Sequence, residues 1–238
     1  MGMPLLRRSL ARAASGHVLE ASAGTGRNNR YYDTGKCESI TFVDSSIEML
    51  KIAQKDFYSK LFFPSPFLMS FFFFFLNFIL FSTLLRLLTE RRKKKMGLRG
   101  GGGLKFGTER YPDYKNARYI VQDAAKPFPR QYDTIVQSMG VCSHHSPRTL
   151  LHNLGQHALV PGGRIVLLEH GRSHYAWLNW VLDRLAAGHA ERWGCWWNRD
   201  VGALATESGL RVVSVRRYHF GTTWWVEAEA PPSPPPLS

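Results

Sequence analysis

A glycine-bearing turn between two short apolar runs limits the possible folds of this chain more than any other feature. The first run ends at Glu20 and enters a turn over residues 22–26; the second, residues 40–43, ends at Asp44. A strand, a tight glycine turn, a helix and a second strand ending in a carboxylate form one half of a nucleotide-binding sheet. Glycines let the backbone approach a ligand closely, and the distal acid can accept both hydroxyls of a ribose. The sequence therefore predicts a site for an adenosine-containing cofactor.

Two cofactor classes fit such a turn, and the residues favour one of them. A dinucleotide site has the pattern Gly-x-Gly-x-x-Gly, so that a pyrophosphate can lie at a helix N-terminus. Here residues 27–29 follow Gly26 and supply no third glycine. Glu20 would repel a diphosphate but would suit an ammonium group. S-adenosylmethionine has a ribose, an amino group and no phosphate, so it is preferred, and an NAD-binding oxidoreductase remains the less favoured alternative.

Further segments follow in an order that is typical of one enzyme family. Residues 119–124 form a predicted strand that closes on Asp123, residues 132–138 form the next strand, and residues 159–171 carry a Pro-Gly-Gly turn and a fifth strand. The chain resembles class I S-adenosylmethionine-dependent methyltransferases over roughly residues 5–58 and 107–230. Their first motif is Glu-x-Gly-x-Gly-x-Gly, and Ser22 replaces its first glycine.

The C-terminal part is similar to a narrower group. The motifs at residues 169–171, 194–199 and 221–225 resemble those of fungal mitochondrial membrane-anchored methyltransferases. That group is related to animal thiol-methyltransferase-like proteins and, more distantly, to ubiquinone-biosynthesis methyltransferases. The resemblance implies a mitochondrial, inner-membrane-associated protein that acts as a monomer on a small, apolar methyl acceptor such as a thiol or quinol.

The resemblance also implies the fold class and the site. The expected fold is an α/β three-layer sandwich with a Rossmann-like, seven-stranded, mostly parallel sheet, closed by an antiparallel hairpin over residues 211–220 and 222–230. Asp44 would bind the ribose or, alternatively, cap the next helix. Gly24 and Gly26 would admit the methionine part of the cofactor, and Glu20 would assist by binding the amine of that part. Asp123 would bind the adenine amino group or cap a turn. The predicted cofactor-binding residues are Glu20, Ser22, Gly24, Gly26, Asp44, Ser45, Asp123, Ala124 and Gln137.

The catalytic prediction rests on the loops after strands four and five. Methyl transfer from a sulfonium mostly requires alignment of the nucleophile with the methyl group. A base is needed only when the acceptor is a hydroxyl, a thiol or an acidic carbon. Candidates are His144, His145, Glu169 and His170, of which His170 is preferred because it directly follows strand five. A structural histidine that bonds a backbone carbonyl is an equally good interpretation of His170.

Composition excludes several other functions. The three cysteines, at positions 37, 142 and 195, include no Cys-x-x-Cys pair, and no His-x-x-x-His pair has a supporting carboxylate. We therefore expect neither a disulfide framework nor a metal site, and a reducing compartment. The net charge of +13 is concentrated in residues 59–106, where nine Lys and Arg face one acid. Without a basic, aromatic-interleaved stripe on the remaining residues, no nucleic-acid partner is expected.

Residues 59–106 differ from the sequence on either side. An uncharged, phenylalanine-rich stretch precedes a basic run and four glycines. Residues 67–85 have the hydropathy of a transmembrane helix, yet a single crossing would separate strands that belong to one sheet. We interpret 1–58 and 107–230 as the two parts of one methyltransferase domain, 59–106 as a disordered or retained-intron insertion, and the proline-rich residues 231–238 as a disordered tail.

Three further expectations concern the N-terminus, the tryptophans and the active-site half. Residues 1–15 are predicted to form the first helix of the fold rather than a transit peptide, with the family's upstream membrane anchor absent. The tryptophans of residues 175–197 could form an apolar acceptor site or a membrane-facing edge, but we favour core packing. Because Ser22 and the 59–106 interruption both weaken the active-site half, a cofactor-binding but inactive assembly factor of a membrane complex is the main alternative function.

Overall fold

The computed structural model describes residues 2–59 and 116–230. The predicted insertion, beyond its first residue, and the C-terminal tail lie outside the described residues. In chain order the elements are α1 (Met3–Arg12), β1 (Gly16–Ala21), a 3₁₀ turn (Asn29–Tyr31), β2 (Cys37–Asp44), α2 (Ile47–Ser59), β3 (Ala117–Val121), β4 (Tyr132–Ser138), α3 (Pro147–Asn153), a π-helical turn (Leu154–Ala158), β5 (Leu159–His170), α4 (Ala176–Trp193), α5 (Val201–Glu207), β6 (Arg211–Tyr218) and β7 (Thr223–Glu229).

The described strands form one seven-stranded sheet in the order β3-β2-β1-β4-β5-β7-β6. Strands β1 to β5 pair in parallel, and β7 pairs antiparallel with both β5 and β6. Parallel strands are buried on both faces and so appear in sequence as continuous apolar runs. The predicted fold class, including the C-terminal antiparallel hairpin, is confirmed.

A separate apolar core covers each face of the sheet. On β1, Val18 belongs to the core that α1 covers through Leu6 and Leu10, whereas Leu19 points to the opposite core under α3 and α5. Successive side chains of a strand point to opposite faces, so one strand supplies both cores. This arrangement produces the three layers. The helix predicted at the N-terminus is present as α1 and contributes Leu6, Leu10 and Ala11 to the core.

Two local expectations differ from the structure. Strand β3 ends at Val121, two residues before Asp123, because Asp123 Oδ1 accepts a hydrogen bond from Ala125 N at 2.9 Å and turns the chain. The tryptophans of α4 are not core residues: Trp177 and Trp180 are 64% and 65% exposed, whereas Leu182 and Ala186 of the same helix are buried. Trp180 and Trp177 lie two and five residues before Leu182, which places them on the opposite side of a helix with 3.6 residues per turn.

None of the helices described in residues 2–59 and 116–230 has both the length and the apolar composition needed to cross a membrane. The apolar stretch 67–85, predicted to have the hydropathy of a transmembrane helix, lies outside those ranges.

Candidate active site

A cavity of about 1030 Å³ lies at the carboxyl edge of the parallel strands. Its wall includes the turn after β1 and the ends of β2, β4 and β5. Strand β1 lies between β2 and β4, so the strand order of the sheet reverses direction at β1. Open α/β sheets bind ligands at such a reversal. Six of the nine predicted cofactor residues line the cavity: Ser22, Gly24, Asp44, Ser45, Asp123 and Ala124.

The glycine turn exposes backbone to the cavity. Gly24 has φ +56°, and a Cβ added there would meet no atom within 4 Å, so backbone is exposed where a ligand could approach. Gly26 has φ +73° and does not line the cavity; a Cβ there would lie 2.9 Å from the Ala53 Cβ. Gly26 therefore allows close packing against α2. Ser22 adopts φ +52°, a conformation that glycine adopts without strain.

Asp44 joins this turn to the end of β2. Its Oδ2 accepts a hydrogen bond from Gly24 N at 2.8 Å, and its Oδ1 accepts one from Ser46 N at 2.9 Å. Each carboxylate oxygen retains further acceptor capacity, which is what two ribose hydroxyls require. The N-terminus of α2 is capped by Ser46, whose Oγ accepts from Met49 N at 3.2 Å. The alternative role of Asp44 as the helix cap is therefore filled by Ser46.

Glu20 lies behind the cavity wall rather than in it. It is 1% exposed and accepts hydrogen bonds from Tyr32 Oη at 2.7 Å and Asn28 Nδ2 at 3.0 Å. Burial raises the pKa of Glu20 to about 7, although these two hydrogen bonds and the charge of Arg7 oppose the shift. A direct contact between Glu20 and the cofactor amine, as predicted, is therefore not prepared in this structure.

A polar network connects Glu20 to the cavity. Asn28 Nδ2 also donates to Ser138 Oγ at 2.9 Å, and Arg7 Nη1 donates to Asn28 Oδ1 at 2.9 Å. Arg7 and Ser138 line the cavity, so this network places a guanidinium and a hydroxyl group in its wall. Sequence analysis overlooked Arg7 and Asn28, because no local pattern marks them: the Arg7–Asn28 contact spans 21 residues and the Asn28–Ser138 contact spans 110.

The end of β4 presents Ser138 rather than Gln137. Gln137 is fully buried and does not line the cavity. Its amide oxygen and nitrogen have no hydrogen-bond partner within the described part of the chain. The predicted cofactor residue Gln137 is therefore not in the cavity wall, and the structure brings its neighbour Ser138 there instead.

The next loop brings an acid and two histidines together. Asp123 Oδ1 lies 3.1 Å from His144 Nε2, and both residues line the cavity with Ala124 and His145. The backbone N–H of Ala125 and, to a lesser extent, His144 lower the pKa of Asp123. Asp123 therefore fills the turn-capping role, and it also remains in the wall where an adenine could lie.

Glu169 holds a loop in place and is not exposed to the cavity. It is fully buried, and its Oε1 and Oε2 accept hydrogen bonds from Gly140 N at 2.9 Å and Cys142 N at 3.2 Å. Burial is the main cause that raises the pKa of this carboxyl well above its usual value. Its role is to position the β4–α3 loop, which carries Cys142.

His170, the preferred catalytic residue, lines the cavity at the end of β5. Its Nδ1 lies 3.4 Å from Cys195 Sγ. A hydrogen bond to the Cys142 thiol raises the pKa of His170, against the effect of burial. Within residues 2–59 and 116–230, the His170 ring makes no hydrogen bond to a backbone carbonyl, as the structural interpretation would require, and the Cys142 and Cys195 thiols lie beside it instead.

Two of the three cysteines meet at His170. One ligand atom from each of Cys142, His170 and Cys195 lies within 4.8 Å of the others. The sequence positions of Cys142 and Cys195, which form no Cys-x-x-Cys pair, gave no sign of this proximity. They lie on separate loops whose approach depends on the order of strands in the sheet. Cys37, on β2, is not part of this group.

The sheet, its glycine turn and the acid at the end of β2 define a class I methyltransferase fold with a nucleoside-cofactor site. Residues 3–215 match the family model described as a methyltransferase domain, and the chain belongs to this family. Membership indicates S-adenosylmethionine as the cofactor. The mitochondrial methyltransferase OMS1 of Saccharomyces cerevisiae is 35% identical over 239 residues, which cover 94% of this chain and 40% of the yeast protein. The chain thus spans less than half the length of that relative.

Solved structures support the fold. The magnesium protoporphyrin IX methyltransferase of Synechocystis PCC 6803, which contains bound S-adenosylhomocysteine, has a TM-score of 0.55 at 12% identity, covering 94% of this chain and 82% of that chain. The N-methyltransferase NodS of Bradyrhizobium japonicum WM9, also in complex with S-adenosylhomocysteine, has a TM-score of 0.52 at 12% identity, covering 96% and 85%. At these identities the likeness concerns the fold alone.

Proposed function

We propose that the chain transfers the methyl group of S-adenosylmethionine to a small, apolar acceptor, such as a thiol or a quinol. The observation that carries the proposal is a single cavity that joins the glycine turn and Asp44 on one side to His170 on the other. Small-molecule sites have volumes of roughly 300–1,000 Å³. At about 1030 Å³, the cavity has room for a nucleoside cofactor and an acceptor together.

The cofactor half uses the residues of the turn and the acids beside it. The carboxylate of Asp44 accepts the ribose hydroxyls, and the open backbone at Gly24 admits the methionine part. Asp123 and Ala124 border the adenine. Arg7 and Ser138 replace Glu20 as the groups nearest the amino-acid end, where the guanidinium of Arg7 suits a carboxylate. S-adenosylmethionine supplies an electrophilic methyl group on a sulfonium.

The acceptor half has a basic group and an apolar wall. His170 lies in the wall and takes the proton of an acceptor thiol or hydroxyl during methyl transfer. Met139 and Trp193 also line the cavity and provide apolar contact area. These surroundings favour an uncharged acceptor, because burial of an unpaired charge there would be costly.

Calorimetry and turnover test the proposal together. The full chain is titrated with S-adenosylmethionine and, separately, with NAD. It is then incubated with S-adenosylmethionine and a panel of alkyl thiols and quinols, and the methylated products are measured by mass spectrometry. Binding of S-adenosylmethionine with methyl transfer to the panel is the expected result. Preferential binding of NAD would contradict the cofactor assignment.

A second candidate is a cofactor-binding assembly factor of a membrane complex that lacks turnover. The observation that favours it is the strained Ser22, which has φ +52° at the position of the first motif glycine. In the experiment above, binding of S-adenosylmethionine without any methylated product would favour this alternative. The Ser22→Gly variant separates the two further, because restored turnover would identify the serine as the cause.

We also propose a mitochondrial location on a membrane surface, as a monomer. The location follows the name of the yeast relative, which is mitochondrial. The exposed aromatic side of α4, formed by Trp177 and Trp180, supports contact with a membrane interface. Co-sedimentation with anionic phospholipid vesicles should fall when Trp177 and Trp180 are changed to Ser. The matched control is Val213→Ser on β6, which is also exposed and should leave vesicle binding unchanged.

A further inference from the structure

The group formed by Cys142, His170 and Cys195 has the composition of a metal site. His170 Nδ1 lies 3.4 Å from Cys195 Sγ, and all three ligand atoms lie within 4.8 Å of one another. Zinc binds thiolate sulfur at about 2.3 Å and imidazole nitrogen at about 2.0–2.1 Å, which places neighbouring ligand atoms of a tetrahedral site roughly 3.5–3.8 Å apart. Small rotations of these side chains would therefore allow one cation to contact all three.

The backbone around both cysteines is already fixed by hydrogen bonds. Cys142 N donates to Glu169 Oε2 at 3.2 Å, and Cys142 O accepts from Trp196 N at 2.8 Å. His189 Nδ1 lies 2.7 Å from Cys195 O. These bonds fix the main chain from which the two thiols project. The segment that carries Cys195 is thus bonded directly to the loop that carries Cys142.

Charge and exposure identify the kind of cation and its open position. Two thiolates and a neutral imidazole balance the charge of a divalent ion, so the filled site would have no net charge to bury. Sulfur with imidazole selects zinc over hard cations such as Mg²⁺ or Ca²⁺. Three protein ligands leave a fourth position free, as in zinc sites that bind water or a substrate atom. All three residues line the cavity, so that position would open into it.

We propose that Cys142, His170 and Cys195 bind one zinc ion in the wall of the methyltransferase cavity. The proposal concerns metal binding and does not depend on turnover. A cation at this place would lie on the acceptor side, beside His170, rather than beside Asp44. It would also engage the imidazole that otherwise acts as the base, so zinc binding and general-base action by His170 are alternative states of the site.

The test measures metal binding by the full chain under reducing conditions. The protein is stripped with a chelator, dialysed and titrated with Zn²⁺ in competition with a chromophoric chelator. A parallel titration with Co²⁺ monitors the thiolate-to-cobalt charge-transfer absorption. We expect one Zn²⁺ per chain and a cobalt spectrum with thiolate charge transfer. Cys195→Ser and Cys142→Ser should each lower zinc affinity by more than ~100-fold, beyond the ~10–100-fold cost of losing an outer-shell partner.

Cys37→Ser is the matched control and should bind zinc as the wild type does, because Cys37 lies on β2 outside the group. Circular dichroism and S-adenosylmethionine affinity verify that each variant is folded. The proposal is overturned if the wild type binds no stoichiometric zinc, if the cobalt spectrum lacks thiolate charge transfer, or if the Cys142 and Cys195 variants keep wild-type affinity. A Cys142–Cys195 disulfide that persists in reductant would overturn it as well. Failure to bind S-adenosylmethionine would instead count against the proposed function and leave the metal result standing.

Discussion

Ser22 shows how a single residue can be strained at a ligand site. Its φ of +52° belongs to the left-handed region, which costs a residue with a Cβ roughly 1–2 kcal/mol. Glycine would remove this cost but would gain about 0.4–1 kcal/mol of conformational freedom in the unfolded chain. We expect Ser22→Gly to raise the free energy of unfolding by about 0.5–1 kcal/mol, measured by urea denaturation.

A matched serine provides the control for this prediction. Ser143 lies in a nearby turn and is not among the residues with positive φ. Ser143→Gly relieves no backbone strain, gains freedom in the unfolded chain and removes the hydrogen bond from Ser143 Oγ to Met139 O at 3.4 Å. It should therefore lower the free energy of unfolding by at least about 0.4–1 kcal/mol. If Ser22→Gly lowered the free energy of unfolding as Ser143→Gly does, the backbone at Ser22 would not be strained.

The raised pKa of Glu20 predicts that the free energy of unfolding depends on pH. Its pKa is about 7 in the folded chain against 4.5 for an ordinary glutamate. At a pH between these two pKa values, the unfolded chain releases the proton of Glu20 while the folded chain retains it. The free energy of unfolding therefore falls as the pH rises, and the loss is complete above pH 7. Since a tenfold change in proton affinity corresponds to about 1.4 kcal/mol, this cost is of order 3 kcal/mol at most.

Glu20→Gln removes the ionisation and should gain stability relative to the wild type as the pH is raised from about 5 to about 8. Urea unfolding of both proteins over this range measures the difference. Glu191→Gln, on the exposed surface of α4, is the control and should follow the wild-type profile. Parallel profiles for wild type and Glu20→Gln would mean that Glu20 titrates normally in the folded chain.

At the scale of elements, α5 depends on its N-terminal cap. Asp200 Oδ1 accepts a hydrogen bond from Ala203 N at 2.8 Å, and the helix buries Val201, Leu204 and Ala205 in the core. Asp200→Ala should lower the free energy of unfolding by about 1 kcal/mol, whereas Asp200→Asn, which keeps a capping oxygen, should cost much less. Thermal unfolding compares the two variants; similar losses would show that the cap does not stabilise α5.

The elements that the sequence predicted correctly share a physical property. Strands β1, β2, β4 and β5 are buried on both faces and therefore form apolar runs that can be recognised locally. Asp44 was identifiable because it ends such a run. The orientation of α4 was not predictable in this way, since tryptophans repeat on a core face and on an exposed face with the same helical period.

At the scale of the whole molecule, what the sequence did not reveal depends on the order of the strands. Arg7, Asn28 and Ser138 meet because α1, the turn after β1 and the end of β4 are adjacent at one edge of the sheet. Cys142, His170 and Cys195 meet at the same edge, on three segments separated by 25 residues or more. Such groups carry no local spacing signal, so they appear only when the chain is folded.

We propose that this same carboxyl edge of the sheet holds S-adenosylmethionine through Asp44. Hydrogen bonds to a charged group are worth about 1.5–3 kcal/mol, and each 1.4 kcal/mol changes affinity about tenfold. Asp44→Asn removes the charge and one acceptor oxygen. It should therefore weaken S-adenosylmethionine binding by about 10–100-fold.

Asp133→Asn is the matched control. Asp133 also accepts a backbone hydrogen bond, from His17 N at 2.7 Å, but it lies at the start of β4, at the opposite edge of the sheet. Isothermal titration calorimetry of wild type, Asp44→Asn and Asp133→Asn with S-adenosylmethionine is the most direct test of the account. We expect a loss of affinity for S-adenosylmethionine in Asp44→Asn alone. Unchanged affinity in a folded Asp44→Asn variant, or an equal loss in both variants, would contradict it.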